Sequence, residues 1–254
     1  MLFFGSLVMC SLLLACNNQQ DHLETSAPDK ASTSEEAATS DSSNNPTDFS
    51  PETPEEITSQ FPKSELSDSI ALDSINDTPS LRAETPAEQG TLVMVSDGRE
   101  ERGHLIVSSV LGVEGDQTFQ SHYSVVYRKD NQDKVLLSLP NFLFIQPSDK
   151  KLSFDKISFK ETDVYLLTPQ YRTGHGLEGY AFAVDKKSGD AFPLKLMRKG
   201  YESKTLLYAD KGQLPFSQNE RLVVHPPIGA GTPEEDTKDI YYQLDLENKQ
   251  LVAK

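Results

Sequence analysis

The chain has 254 residues and carries 24 Lys and Arg against 39 Asp and Glu, a formal net charge of -15. That acidic balance excludes a surface built to track nucleic-acid phosphates, which needs a basic face. Two cysteines can make neither a disulfide scaffold nor a four-cysteine zinc site.

Residues 1–16 (MLFFGSLVMCSLLLAC) contain no charged side chain, and 13 of the 16 are hydrophobic. The stretch is shorter than the roughly 20 residues a membrane-crossing helix needs and has the size of a signal-peptide hydrophobic region. Its end, Leu13-Leu14-Ala15-Cys16, resembles the lipobox of bacterial lipoproteins. Leu14 is bulkier than the residue usual there, and no Lys or Arg precedes the apolar run. The resemblance implies removal of residues 1–15 and acylation of Cys16. Two or three acyl chains would hold the protein at a membrane. Asn17 in place of aspartate leans, by the same resemblance, toward the outer membrane; in a single-membrane bacterium the domain would sit outside the cell. With Cys10 removed and Cys16 acylated, the mature fold would have neither a free thiol nor a disulfide.

Residues 16–90 are expected to form a disordered linker. Residues 17–90 hold 16 acidic and 3 basic residues and are rich in Ser, Thr, Glu and Pro, so burial is too small to offset chain entropy. About 70 residues of such coil span roughly 50 Å. One less polar island, Leu66, Ile70, Leu72 and Ile75, has spacings that suit a helical turn or two. It reads as transient helix or a docking motif.

Residues 91–254 hold 17 of the 21 Phe and Tyr and are expected to form the globular domain. Short β-branched and aromatic runs recur from Leu92 onward with turn residues between them, which predicts an all-β, antiparallel fold. Strands beginning at Leu105 and Tyr123 recur at Val164 and Tyr180, and again at Leu222 and Ile240. With candidate strands before each pair (92–95, 152–159, 204–209) and after it (near Val135, Phe192 and Val252), the domain reads as three four-stranded meanders. They would form a sandwich, a barrel or a propeller-like array. Asn131 and Gly189 sit where a hairpin needs positive φ.

Catalytic and metal-ligand motifs are largely missing: there is no H-E-x-x-H, G-x-S-x-G, P-loop or EF-hand spacing. Gly174-His175-Gly176-Leu177-Glu178-Gly179 spells G-x-G-x-x-G but joins two strands, so it reads as a flexible glycine loop rather than a dinucleotide site. Histidines lack a local metal-pair spacing, and Glu234-Glu235-Asp236 reads as a solvated acidic loop. No cofactor or metal is expected.

If the repeat holds, the three connections GVEGDQTFQS, PQYRTGHGLEG and PPIGAGTPEEDTKD emerge on one edge, where binding groups concentrate. The second offers Tyr171, Arg172, His175 and Glu178, an aromatic, a cation, a titratable ring and a carboxylate suited to a polar ligand. The expectation is a lipid-anchored, non-enzymatic envelope protein binding a protein or saccharide partner. The alternatives are a glycan hydrolase using a carboxylate pair and a structural spacer.

Overall fold

Every residue of Thr162–Leu167 is buried. Strand side chains alternate between two faces, so this segment must have a core on each side. The computed structural model, which describes residues 57–254, accordingly places it in the middle one of three sheets. The first sheet holds β1 (Ile70–Asn76), β2 (Leu81–Ala87), β3 (Gly90–Leu105), β4 (Gln117–Lys129) and β5 (Gln132–Gln146). The middle sheet holds β6 (Asp155–Ser158), β7 (Thr162–Leu167), β8 (Leu177–Asp185) and β9 (Ala191–Pro193). Next, β10 (Lys195–Arg198) and β11 (Tyr201–Ser203) begin the third sheet, and β12 (Leu206–Tyr208) returns to pair with β8. The third sheet is completed by β13 (Phe216–Gln218), β14 (Arg221–Val224), β15 (Ile240–Asp245) and β16 (Gln250–Ala253).

All strand pairs are antiparallel except β10 with β16, and none of the sheets closes into a barrel. Helical structure among the described residues is limited to 3-10 turns at Ser67–Ser69 and Glu234–Asp236.

Two cores follow from the alternation along β7 and β8. Tyr165, Leu167, Phe182 and Val184 pack with Leu92, Met94, Tyr123 and Val125 of the first sheet. Val164, Leu166, Ala181 and Ala183 turn the other way and pack with Leu222, Val224 and Tyr242 of the third. A strand buried on both faces reads as a continuous apolar run, as VYLL does.

Two of the three expected meanders form, as β6–β9 and β13–β16. The first takes another form. Of its expected opening strands, 92–95 lies inside the 16-residue strand β3, but the one expected to begin at Leu105 does not form: Leu105 is the last residue of β3, and Ile106, Val107 and Val110 are left exposed in the connection to β4. An irregularity between Ser96 and Glu100 re-aims β3 where the sequence suggests a turn. In the third meander the segment 204–209 yields β12, which belongs to the middle sheet, and β13 fills the vacant place. The hairpin expectations hold: Asn131 has φ 60° and Gly189 φ 70°.

The linker expected over 16–90 ends earlier than its composition suggests, because β1 and β2 lie inside it. The Ile70–Ile75 island is strand rather than helix, paired along β3 from Ile70 with Leu105 to Asn76 with Glu100. Backbone hydrogen bonding to an existing sheet, not local burial, decides this. Before β1, the Gln60 N–H donates to Glu101 Oε1 at 2.9 Å and the Phe61 ring meets His122 edge-on at 5.5 Å. Cys16 and the lipobox expectation lie outside the described residues, and among the described residues no helix is long and apolar enough to cross a membrane.

Candidate functional site

The connections that follow β3, β7 and β14 meet on one edge. Tyr171 of the second connection donates its hydroxyl to the Asp116 carboxylate of the first. Gln170 Nε2 donates to the Leu111 carbonyl at 2.6 Å, and Gln170 Oε1 accepts the Ile145 N–H at 2.9 Å. The second and third connections touch at Gly176, whose φ is +95°. A Cβ there would stand 2.6 Å from the Tyr208 carbonyl and 2.8 Å from Pro227. Gly179 is also confined, though by a side chain only, since a Cβ would stand 2.5 Å from Leu166 Cδ1. The glycine spelling therefore serves close approach as well as turn-making, and it leads into strand β8 rather than into a phosphate-binding helix.

The four residues singled out in the second connection do not form one constellation. Tyr171 is half-buried and turned toward the first connection, and burial together with Asp116 raises its phenol above its ordinary range. Arg172 is exposed, and its carbonyl accepts from Gln170 Nε2 at 3.0 Å. His175 is exposed and opens into a cavity of about 710 Å³ between the second and third connections, shared with Lys211, His225 and Pro227. Glu178, already on β8, accepts from Thr205 Oγ1 at 3.3 Å.

Sequence reasoning missed two parts of this edge. His225 Nδ1 pairs with Asp239 across the mouth of the β14–β15 connection, and the His225 ring lies 6.0 Å from that of Phe216. A second cavity of about 480 Å³ is also lined by Pro226 and Pro227, with Tyr201, Arg198 and Thr205 in its walls. Fourteen residues separate His225 from Asp239, and Tyr201 reaches the edge through a hairpin, so no spacing rule would have linked them. Exposed aliphatic side chains also gather in these connections: Ile106, Val107, Val110 and Val113 in the first and Ile228 in the third.

The most deeply buried carboxylates have the wrong electrostatics for a glycosidase acid, which needs a raised pKa. Burial alone would raise Glu100, but hydrogen bonds from Arg82, Tyr123 and Arg102 outweigh it and hold the carboxyl at about 2. Asp163 is likewise held low against its burial by Lys156, Ser158 and Lys186. In the acidic run at 234–236, Asp236 accepts from Arg198 and Lys199 at 2.9 Å each. Among the described residues no group of three acidic, His or Cys side chains is arranged to hold a metal ion. Comparison of the chain with protein-family models, curated proteins and solved structures found no match.

Proposed function

We propose that the protein is a lipid-anchored component of a bacterial cell envelope whose β domain is a non-enzymatic binding module. Its binding surface is the edge on which the β3–β4, β7–β8 and β14–β15 connections converge. The observation that carries this reading is the physical joining of the three connections, by Tyr171 to Asp116 on one side and by Gly176 against Pro227 on the other. Loops fixed to one another above two rigid cores are preorganised, which lowers the entropy lost on binding. Val110 at 62% exposure and Ile228 at 65% add apolar surface there, of the kind that marks interaction sites when clustered. Cys16, at the end of the lipobox-like sequence, supplies the anchor.

Two measurements test the reading. The substitution Cys16→Ser should move the protein from the membrane to the soluble fraction; retention would eliminate the lipid anchor. A photo-cross-linking side chain at Val110 or Ile228 should give adducts in intact cells. The same group at Val135, exposed on β5, should give none. Equal labelling at all three positions, or none at any, would favour a spacer.

A further inference from the structure

Beside the loop edge, the hairpin of β10 and β11 presents one side chain with no structural task. Tyr201 is 80% exposed. The hairpin is tight: Arg198 pairs directly with Tyr201, and the two residues between them, Lys199 and Gly200, have φ of 50° and 82°. Two positive φ values in a two-residue loop match the twist of the flanking strands, so the ring's base is held firmly although its face meets water. A large aromatic on a rigid mount supplies contact area at little entropic cost.

Tyr201 stands in the wall of the cavity of about 480 Å³ beside Pro226 and Pro227. The floor is apolar and belongs to the core, with Leu196 3% and Tyr242 4% exposed. Pro226 and Pro227 line this cavity and also the one with His175 and His225. The polar groups are already oriented: Thr205 Oγ1 is bonded to Glu178, and Asp236 is clamped by Arg198 and Lys199. Asp236 offsets one of these two cations and leaves a single positive charge at that end, too little to favour a strongly anionic polymer.

An exposed ring face, flat proline surfaces and fixed carboxylate and hydroxyl groups, with little net charge, match the surface of a sugar chain. Sugar rings carry C–H faces of partial positive charge, suited to the negative face of an aromatic ring. Their hydroxyls both donate and accept, suited to the Asp236 carboxylate and the Ser203 and Thr205 hydroxyls in the cavity wall. We infer that the two grooves that share Pro226 and Pro227 bind an uncharged polysaccharide strand, with Tyr201 as its stacking platform. The inference rests on the binding-module reading and narrows its ligand to a glycan.

The test is calorimetric titration of the full-length chain in detergent with a β-1,4-linked N-acetylglucosamine hexamer, polygalacturonate serving as an acidic comparison. The neutral hexamer should bind and polygalacturonate should not. Tyr201→Ala should weaken hexamer binding about tenfold, whereas Tyr201→Phe, which keeps the ring, should stay within about threefold. Thermal unfolding would check that both variants are folded, and at 80% exposure Tyr201 has little packing to lose. Absence of hexamer binding, preference for the acidic polymer, or equal binding by Tyr201→Ala would each overturn the inference. If the hexamer fails while Val110 and Ile228 still give cross-links in cells, the glycan assignment falls and the binding edge stands. If both fail, the binding-module reading falls with it.

Discussion

Arg82 on β2 and Glu100 on β3 meet side-on, with Nε to Oε1 at 2.7 Å and Nη2 to Oε2 at 2.6 Å, and neither is more than 6% exposed. Both sit at strand irregularities, between Leu81 and Ala83 and between Ser96 and Glu100, which turn charged side chains inward. The pair is completed by Arg102, the Tyr123 hydroxyl and Asp149, and the guanidinium of Arg82 lies 4.0 Å from the centre of the Phe119 ring. Removing one partner of a buried pair strands the other, at about 3 kcal/mol or more. Glu100→Gln should therefore lower unfolding free energy by about 3 kcal/mol at neutral pH in urea titrations. A loss below about 1 kcal/mol would mean Asp149 alone satisfies Arg82.

The same carboxylate makes stability depend on acid. Its folded pKa of about 2 lies below the ordinary 4.5. The contribution is therefore complete above about pH 4.5 and is lost as pH falls toward about 2. The loss amounts to about 3 kcal/mol. Unfolding curves taken across that window should show wild type losing stability more steeply than Glu100→Gln. Parallel curves would assign the acid dependence to other carboxylates.

Asp163 offers a contrast, because its partners can escape to water. The carboxylate is fully buried at the start of β7, but Lys156 at 2.7 Å and Lys186 at 3.2 Å have side chains 45% and 32% exposed. In Asp163→Asn the lysines can swing outward and rehydrate. The cost should therefore be only about 1–2 kcal/mol, less than for Glu100→Gln. Equal losses in the two variants would show that the lysines are held as firmly as Arg82.

Legibility in the sequence extends to whatever depends on local period. Alternation along Ile240–Leu244 marks one inward face, whereas Tyr180–Val184 is buried on both, with Ala181 and Ala183 in the second core. The recurrence of strand pairs anticipates the gathering of three connections on one edge. The bulges that invert Arg82 and Glu100 leave no trace in composition, since a shift of one residue moves a charged side chain from solvent to core without changing the run. β1 is hidden for another reason: a short island with helical spacing inside a polar stretch becomes strand when a neighbouring edge offers hydrogen bonds. The lone Tyr201 carries no pattern to read.

Gly176 should be the least replaceable point of the loop edge. Its φ of +95° resembles the +105° of Gly212, but a Cβ at 212 would meet nothing within 4 Å, whereas at 176 it would press on the Tyr208 carbonyl and Pro227. Gly212→Ala should cost about 1 kcal/mol from backbone strain alone, and Gly176→Ala about 2–3 kcal/mol because a clash is added. Thermal melts of the two variants separate the terms. Equal shifts would mean that the second and third connections move apart freely, and the joined edge would lose its rigidity.

Gly103 tests where the folded domain begins. It lies in β3 between Leu72 on β1 and Thr118 on β4. A Cβ there would fall on the carbonyl oxygen of Ala71, backbone that cannot move without breaking the β1 ladder, and 3.0 Å from Thr118 Oγ1. Gly103→Val should therefore peel β1 from the sheet while leaving β2 paired with the other half of β3, from Gly90 to Val95. Limited proteolysis with mass analysis reads this directly. Wild type should yield a protected core that begins ahead of Ile70, and the variant one that begins beyond Asn76. A wild-type core starting near residue 90 would return β1 and β2 to the linker, and identical cores would show that β1 tolerates the side chain.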